Sequence, residues 1–124
     1  MRIFKTKEFQ QWMKKQNLAD HSLIDAVIEM ENGLNGTNLG GHVYKKRISL
    51  SGQGKSSGAR TLIVYKQAGK AFFVYGYARK QQANIKDNEL KALKLLATRL
   101  LSYSDVELEV AIDHDELIEI KNDD

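Results

Sequence analysis

The sequence predicts an α+β domain, a twisted and mainly antiparallel sheet with helices packed on it, in the order β-α-α-β-β-β-α. Two observations predict it. The middle of the chain holds runs of β-branched and aromatic residues joined by Gly-, Asn- and Ser-rich turns, so its strands should follow one another as meanders. Segments with apolar residues at helical spacing flank that middle on both sides. Proline is absent, so Gly, Asn and Ser must supply every turn. At 124 residues the chain is expected to be one domain, residues 1–124, with an acidic C-terminal extension over about 103–124.

Arg2-Ile3-Phe4 reads as a short first strand. Thr6 can cap a helix from about Lys7 to Gln16, with Phe9, Trp12 and Met13 on one face. Asp20 or Ser22 is the expected cap of a second helix, striped by Leu23, Ile24, Val27 and Ile28 and ended by Asn32-Gly33. Residues 35–41 form a turn-rich connection. Val43 to Ser51 reads as a strand in which Val43 and Ile48 cannot share a face under strict alternation. A bulge or an early strand end near Lys46-Arg47 is therefore expected. Gly52 to Gly58 is a loop. Ala59 to Lys66 and Ala71 to Ala78 are the two clearest strands, with a hairpin turn at 67–70. Asp87 and Glu89 open a helix where the macrodipole favours negative charge, and Leu90, Leu93, Ala97, Leu100 and Leu101 continue it. Ser104 can cap a short helix over Asp105–Ile112, and Leu117 to Ile120 is a closing strand.

Charge is segregated along this chain. No acid occurs between Glu31 and Asp87, an interval of 55 residues that carries ten bases. Residues 1–80 carry a net charge of +9 and residues 81–124 a net of −6. A one-sided basic segment on a sheet fits an anionic partner such as a phosphodiester chain. The acidic tail either keeps the domain in solution or folds back to shield the basic surface. With no cysteine, disulfides and thiolate metal sites are excluded. The N-terminus meets charge at once, unlike a secretory signal, and no apolar run approaches the roughly 20 residues that span a bilayer. The expected location is the cytoplasm, with no membrane contact.

Few residues can carry chemistry. His21, His42 and His114 lie far apart with no metal-ligand spacing, and no cofactor motif is present, so neither metal nor cofactor is expected. The Gly52–Gly58 loop resembles a phosphate loop but lacks the Walker spacing. What remains is the cluster Lys45, Lys46, Arg47, Lys55, Arg60, Arg79 and Lys80, with no carboxylate near it in sequence. Crowded cations disfavour one another's charged forms, so a lysine in such a cluster can accept a proton from an RNA 2′-hydroxyl. A neighbouring arginine can hold the phosphate and stabilise the charge that builds up there. The plainer possibility is that the cations only neutralise phosphates. Tyr77 and the other strand tyrosines could stack on unpaired bases.

The runs Val43 to Arg47, Gly52 to Leu62, Lys70 to Ala78 and Ala83 to Ile85, with the opening Met1 to Thr6 and the close Glu116 to Ile120, resemble the RelE/ParE superfamily of type II toxins, and within it a HigB-like RelE branch. The resemblance covers nearly the whole chain, and the stretch Gly52 to Leu62 is its most specific part. It implies a small toxin domain with a basic concave face. It implies a metal-independent endoribonuclease that cuts mRNA in the ribosomal A site by attack of the 2′-oxygen, leaving a 2′,3′-cyclic phosphate and a 5′-hydroxyl. The partners it implies are the ribosome with its mRNA and a cognate antitoxin, usually of helix-turn-helix type. By position, Arg60 matches the family's phosphate-binding arginine. Lys45, Lys46 and Arg47 occupy its paired basic strand, Lys55 its loop lysine, and Arg79 or Lys80 its second basic position. The expected catalytic set is Lys45, Lys46, Arg60, Arg79 and Lys80, with Arg47, Lys55 and Tyr77 binding RNA. The tyrosine of the family pattern is replaced by Ile85 and Lys86. Two alternatives stand beside this reading: a ParE-like inhibitor of DNA gyrase, and a non-catalytic nucleic-acid-binding module.

Overall fold

The computed structural model describes residues 1–50, 58–67 and 69–121. Its elements are β1 (Arg2–Thr6), α1 (Lys7–Lys15), α2 (Asp20–Glu31), β2 (Thr37–Asn38), β3 (Val43–Ile48), β4 (Ala59–Tyr65), β5 (Lys70–Ala78), α3 (Asp87–Ser102), α4 (Asp105–Asp113) and β6 (Leu117–Ile120). The strands form one open sheet in the order β2-β3-β4-β5-β1-β6. The expected α+β class is borne out, with antiparallel pairing predominating. The parallel pair is β1 with β5, from Arg2↔Lys70 to Lys5↔Phe73.

Helices cover the sheet on both faces. On one, α1 and α2 lay Phe9, Met13, Leu23, Val27 and Met30 against Ile63 and Phe73. On the other, α3 and α4 lay Ala97, Leu100 and Leu108 against Phe4, Leu62, Val64 and Phe72. Phe4 and Phe72, paired across the parallel strands, stack with ring centroids 5.0 Å apart. This two-sided burial explains the irregular alternation of β3. Val43 and Ile48 are both buried because they enter different cores. The strand ends early, at Ile48, and carries no bulge: its register with β4 runs unbroken from Val43↔Val64 to Ile48↔Ala59. The register shift lies instead between β4 and β5, at Leu62/Ile63.

Local signals behave unevenly. Thr6 caps α1 by accepting from Phe9 N–H at 3.1 Å. Ser104 and Glu107 form a reciprocal capping box at α4. The side-chain cap expected for α2 is absent: Ala19 occupies the cap position, and Asp20 is already helical. The carboxylate of Asp20 is engaged elsewhere, 2.8 Å from Lys5 Nζ. The turn-rich connection over 35–41 contains the short strand β2, paired with β3 at Thr37↔Lys45 and Asn38↔Tyr44.

Among the described residues the acidic C-terminal segment closes as β6 at the sheet edge opposite β2, and its Asp105 stands 3.9 Å from Lys70 of β5. Its charges gather on Arg2, whose guanidinium donates two bonds of 2.9 Å to Glu119 and one of 3.0 Å to Glu109. The bonds from Arg2 hold the Glu119 carboxyl below its ordinary value of 4.5, against the opposing effect of burial. A depressed carboxylate adds stability that is complete above the ordinary value and lost as pH falls through the depressed one. Glu119→Gln should therefore cost about 1–2 kcal/mol at pH 7. That difference should vanish in denaturant titrations near pH 2. A penalty that persists at pH 2 would mean the side chain acts through packing.

Candidate nucleic-acid interface

Strand pairing carries the basic residues of three strands into one row. Arg47 of β3 lies directly opposite Arg60 of β4, and Arg60 lies opposite Tyr77 of β5. Cross-strand partners project from the same face, with Cβ atoms roughly 5 Å apart. Lys45, two residues before Arg47, projects from that face too. Arg79, two residues beyond Tyr77, continues the pairing through its N–H to the Gly58 carbonyl at 3.1 Å. This face carries the α3/α4 core nearer the other end of the same strands.

A cavity of about 570 Å³ opens over the row. Lys45, Arg47, Arg60, Tyr77 and Arg79 line it. Like charges set directly opposite across strands are destabilising. The cost registers at Arg60, whose charged form is disfavoured first by burial and then by Arg47 and Arg79. An arginine does not lose its proton under ordinary conditions, so the row stays cationic. Tyr77 is 3% exposed, and its hydroxyl donates to Asn84 Oδ1 at 3.4 Å. Burial raises its pKa, while Arg60 and Arg79 pull it back down, so it is a neutral phenol at physiological pH. The same row thus offers cations and an uncharged hydroxyl.

Lys46 stands on the other face. Its cross-strand partner is Thr61, fully buried, and Thr61 pairs with Gly76, where an added Cβ would collide with the ring of Trp12 of α1. The Lys46 side chain is only 9% exposed, with Nζ 2.8 Å from Glu29 Oε1 and 3.0 Å from the Leu34 carbonyl. Period-two alternation thus separates three consecutive cations, with Lys45 and Arg47 on the α3/α4 face and Lys46 on the α1/α2 face, where it too lines the cavity. Arg79 and Lys80 separate as well. The chain turns after Ala78, and Lys80 is exposed and not among the cavity's lining residues. Lys55 lies outside the described residues. The Tyr44 ring packs edge-on against Tyr65, on the α1/α2 side of the sheet.

Sequence reasoning missed the outer wall. Glu29 of α2, Leu34, Gly36 and Thr37 also line the cavity. A carboxylate therefore does reach the cluster, although no acid lies near it in sequence. The one sequence signal for this wall is Gly36, whose φ is +71° and whose Cβ, if present, would strike the Lys45 carbonyl. No group of three or more potential metal ligands occurs among the described residues. No helix among them is long and apolar enough to cross a membrane.

Fold and site together define a small α+β domain with a cation-lined cleft at one end of its open sheet. A family model described as the RelE toxin of the RelE / RelB toxin-antitoxin system matches residues 1–120. The chain belongs to the RelE family, and it is the toxin of a toxin–antitoxin system, with a cognate antitoxin as partner. No curated protein and no solved structure gives a significant match.

Proposed function

We propose that this toxin is a metal-independent, ribosome-dependent mRNA endonuclease of the HigB-like kind, acting in the cytoplasm and restrained by an antitoxin of helix-turn-helix type. The observation that carries the reading is the Arg47–Arg60–Tyr77 row with Lys45 and Arg79 beside it. In the proposed reaction, Arg60 and Arg79 hold the non-bridging oxygens of the scissile phosphate. Lys45 takes the proton of the 2′-hydroxyl. The 2′-oxygen attacks phosphorus, the added charge is stabilised by the guanidinium groups, and the bond from phosphorus to the 5′-oxygen breaks. Tyr77, kept protonated by its burial, gives its proton to the departing 5′-oxygen. The products are a 2′,3′-cyclic phosphate and a 5′-hydroxyl. Arg47, more exposed, contacts the neighbouring backbone phosphate.

The ribosome enters because this set contains no strong general base. The Glu29 carboxylate is joined to Lys46, and orientation of the 2′-oxygen must come from a bound, constrained substrate. The test is cleavage by purified protein of an mRNA held on ribosomes and of the same mRNA free. The reading expects cut ends bearing cyclic phosphate on ribosomes and slow cleavage of free RNA. Intact mRNA accompanied by inhibition of gyrase supercoiling would overturn it.

A further inference from the structure

We propose that Lys46 is a positioning residue, which clips segment 34–37 to α2 and so fixes one wall of the cation-lined cavity. For its effect on activity the proposal rests on the endonuclease reading above. The clip itself can be observed without any activity. The segment it holds has little rigidity of its own. It leaves α2 through Gly33 at φ +93° and passes Gly36 at φ +71°, and β2 contributes only two residues to the sheet. Beyond Lys45 the outer edge of β3 faces this segment rather than a paired strand, and Gly36 runs close against the Lys45 carbonyl. Lys46 supplies the tie: one ammonium donates to the carbonyl of Leu34 at 3.0 Å and meets the carboxylate of Glu29 at 2.8 Å. A lysine offers three donors, and two are spent on joining loop to helix. A base must present a lone pair to the substrate. An ammonium donating to a carboxylate and a carbonyl presents none. Leu34, held by its carbonyl, is 63% exposed where it lines the cavity.

The two roles separate cleanly in variants. Arginine can still pair with Glu29 but cannot serve as a base, so Lys46→Arg should cleave ribosome-bound mRNA within about threefold of wild type. The double variant Glu29→Gln/Lys46→Met removes both charges of this pair together. In it, hydrogen exchange of the amides over 34–38 should quicken at least ~10-fold while those of β4 and β5 keep their protection. Its affinity for a single-stranded RNA oligonucleotide bearing one 2′-deoxy position should fall. Two results would overturn the proposal: Lys46→Arg inactive with normal exchange over 34–38, or unchanged exchange there in the double variant. Arg60→Ala serves as the separate control. If it cleaves normally, the endonuclease site is misassigned, while the exchange data still decide whether Lys46 is a clip.

Discussion

Replacing Arg60 with alanine should relieve the growth arrest caused by producing this toxin without its antitoxin. A charge-assisted bond to a phosphate is typically worth about 1.5–3 kcal/mol, so cleavage of ribosome-bound mRNA should fall roughly 10- to 150-fold. Arg60→Lys should fall between, because an ammonium keeps the charge but loses the two-pronged geometry of the guanidinium. Arg60 is half-buried and faces Arg47 across the strands; burial, Arg47 and Arg79 oppose its charge, and Tyr77 favours it. The thermal midpoint of Arg60→Ala, measured beside its activity, separates loss of function from loss of fold. A folded Arg60→Ala that remains fully toxic would remove Arg60 from the site.

That prediction depends on a row of residues only partly legible in the sequence. Arg60 and Tyr77 sit on the two strands with the strongest β signal, so their placement near one end of the sheet could be read directly. Lys45, Lys46 and Arg47 could not be sorted. Alternation assigns faces only when one face is wet, and here Val43 and Ile48 are buried on opposite sides. Glu29 could not be found at all. It lies on α2 beside the buried Ala26 and Met30, where a glutamate ordinarily marks a solvated flank, and only the fold brings it to Lys46.

The architecture divides similarly. The β3–β4–β5 meander follows from local turns and could be anticipated. The parallel pairing of β1 with β5 joins residues far apart in sequence, and no local signal encodes it. Its cause is visible in the cores: Ile3 and Phe4 send side chains into the two opposite clusters, which requires a central strand covered on both faces. The missing cap of α2 has a cause of the same non-local kind, since Asp20 serves the buried amine of Lys5 rather than its own helix.

That pairing makes the second large prediction, an asymmetric one. The Lys5 side chain is 4% exposed, whereas that of Asp20 is 51% exposed, so the two partners are not equivalent when one is removed. Asp20→Ala leaves an ammonium buried beside Met13 Sδ, 3.9 Å away, a poor substitute for a carboxylate. Stranding a buried charge costs about 3–5 kcal/mol, and partial access of water to the pair places the expected loss near the low end of that range. Lys5→Met reverses the situation. Methionine keeps the length of the apolar stem and adapts to the space beside Met13, while the carboxylate left behind is half in water and hydrates. The loss should stay under ~1.5 kcal/mol, as for other volume-conserving core changes. Denaturant titrations of the two variants at pH 7 provide the comparison. Equal destabilisation by both would show that the 2.8 Å bond itself, rather than the burial of the lysine, sets the energetics at this position.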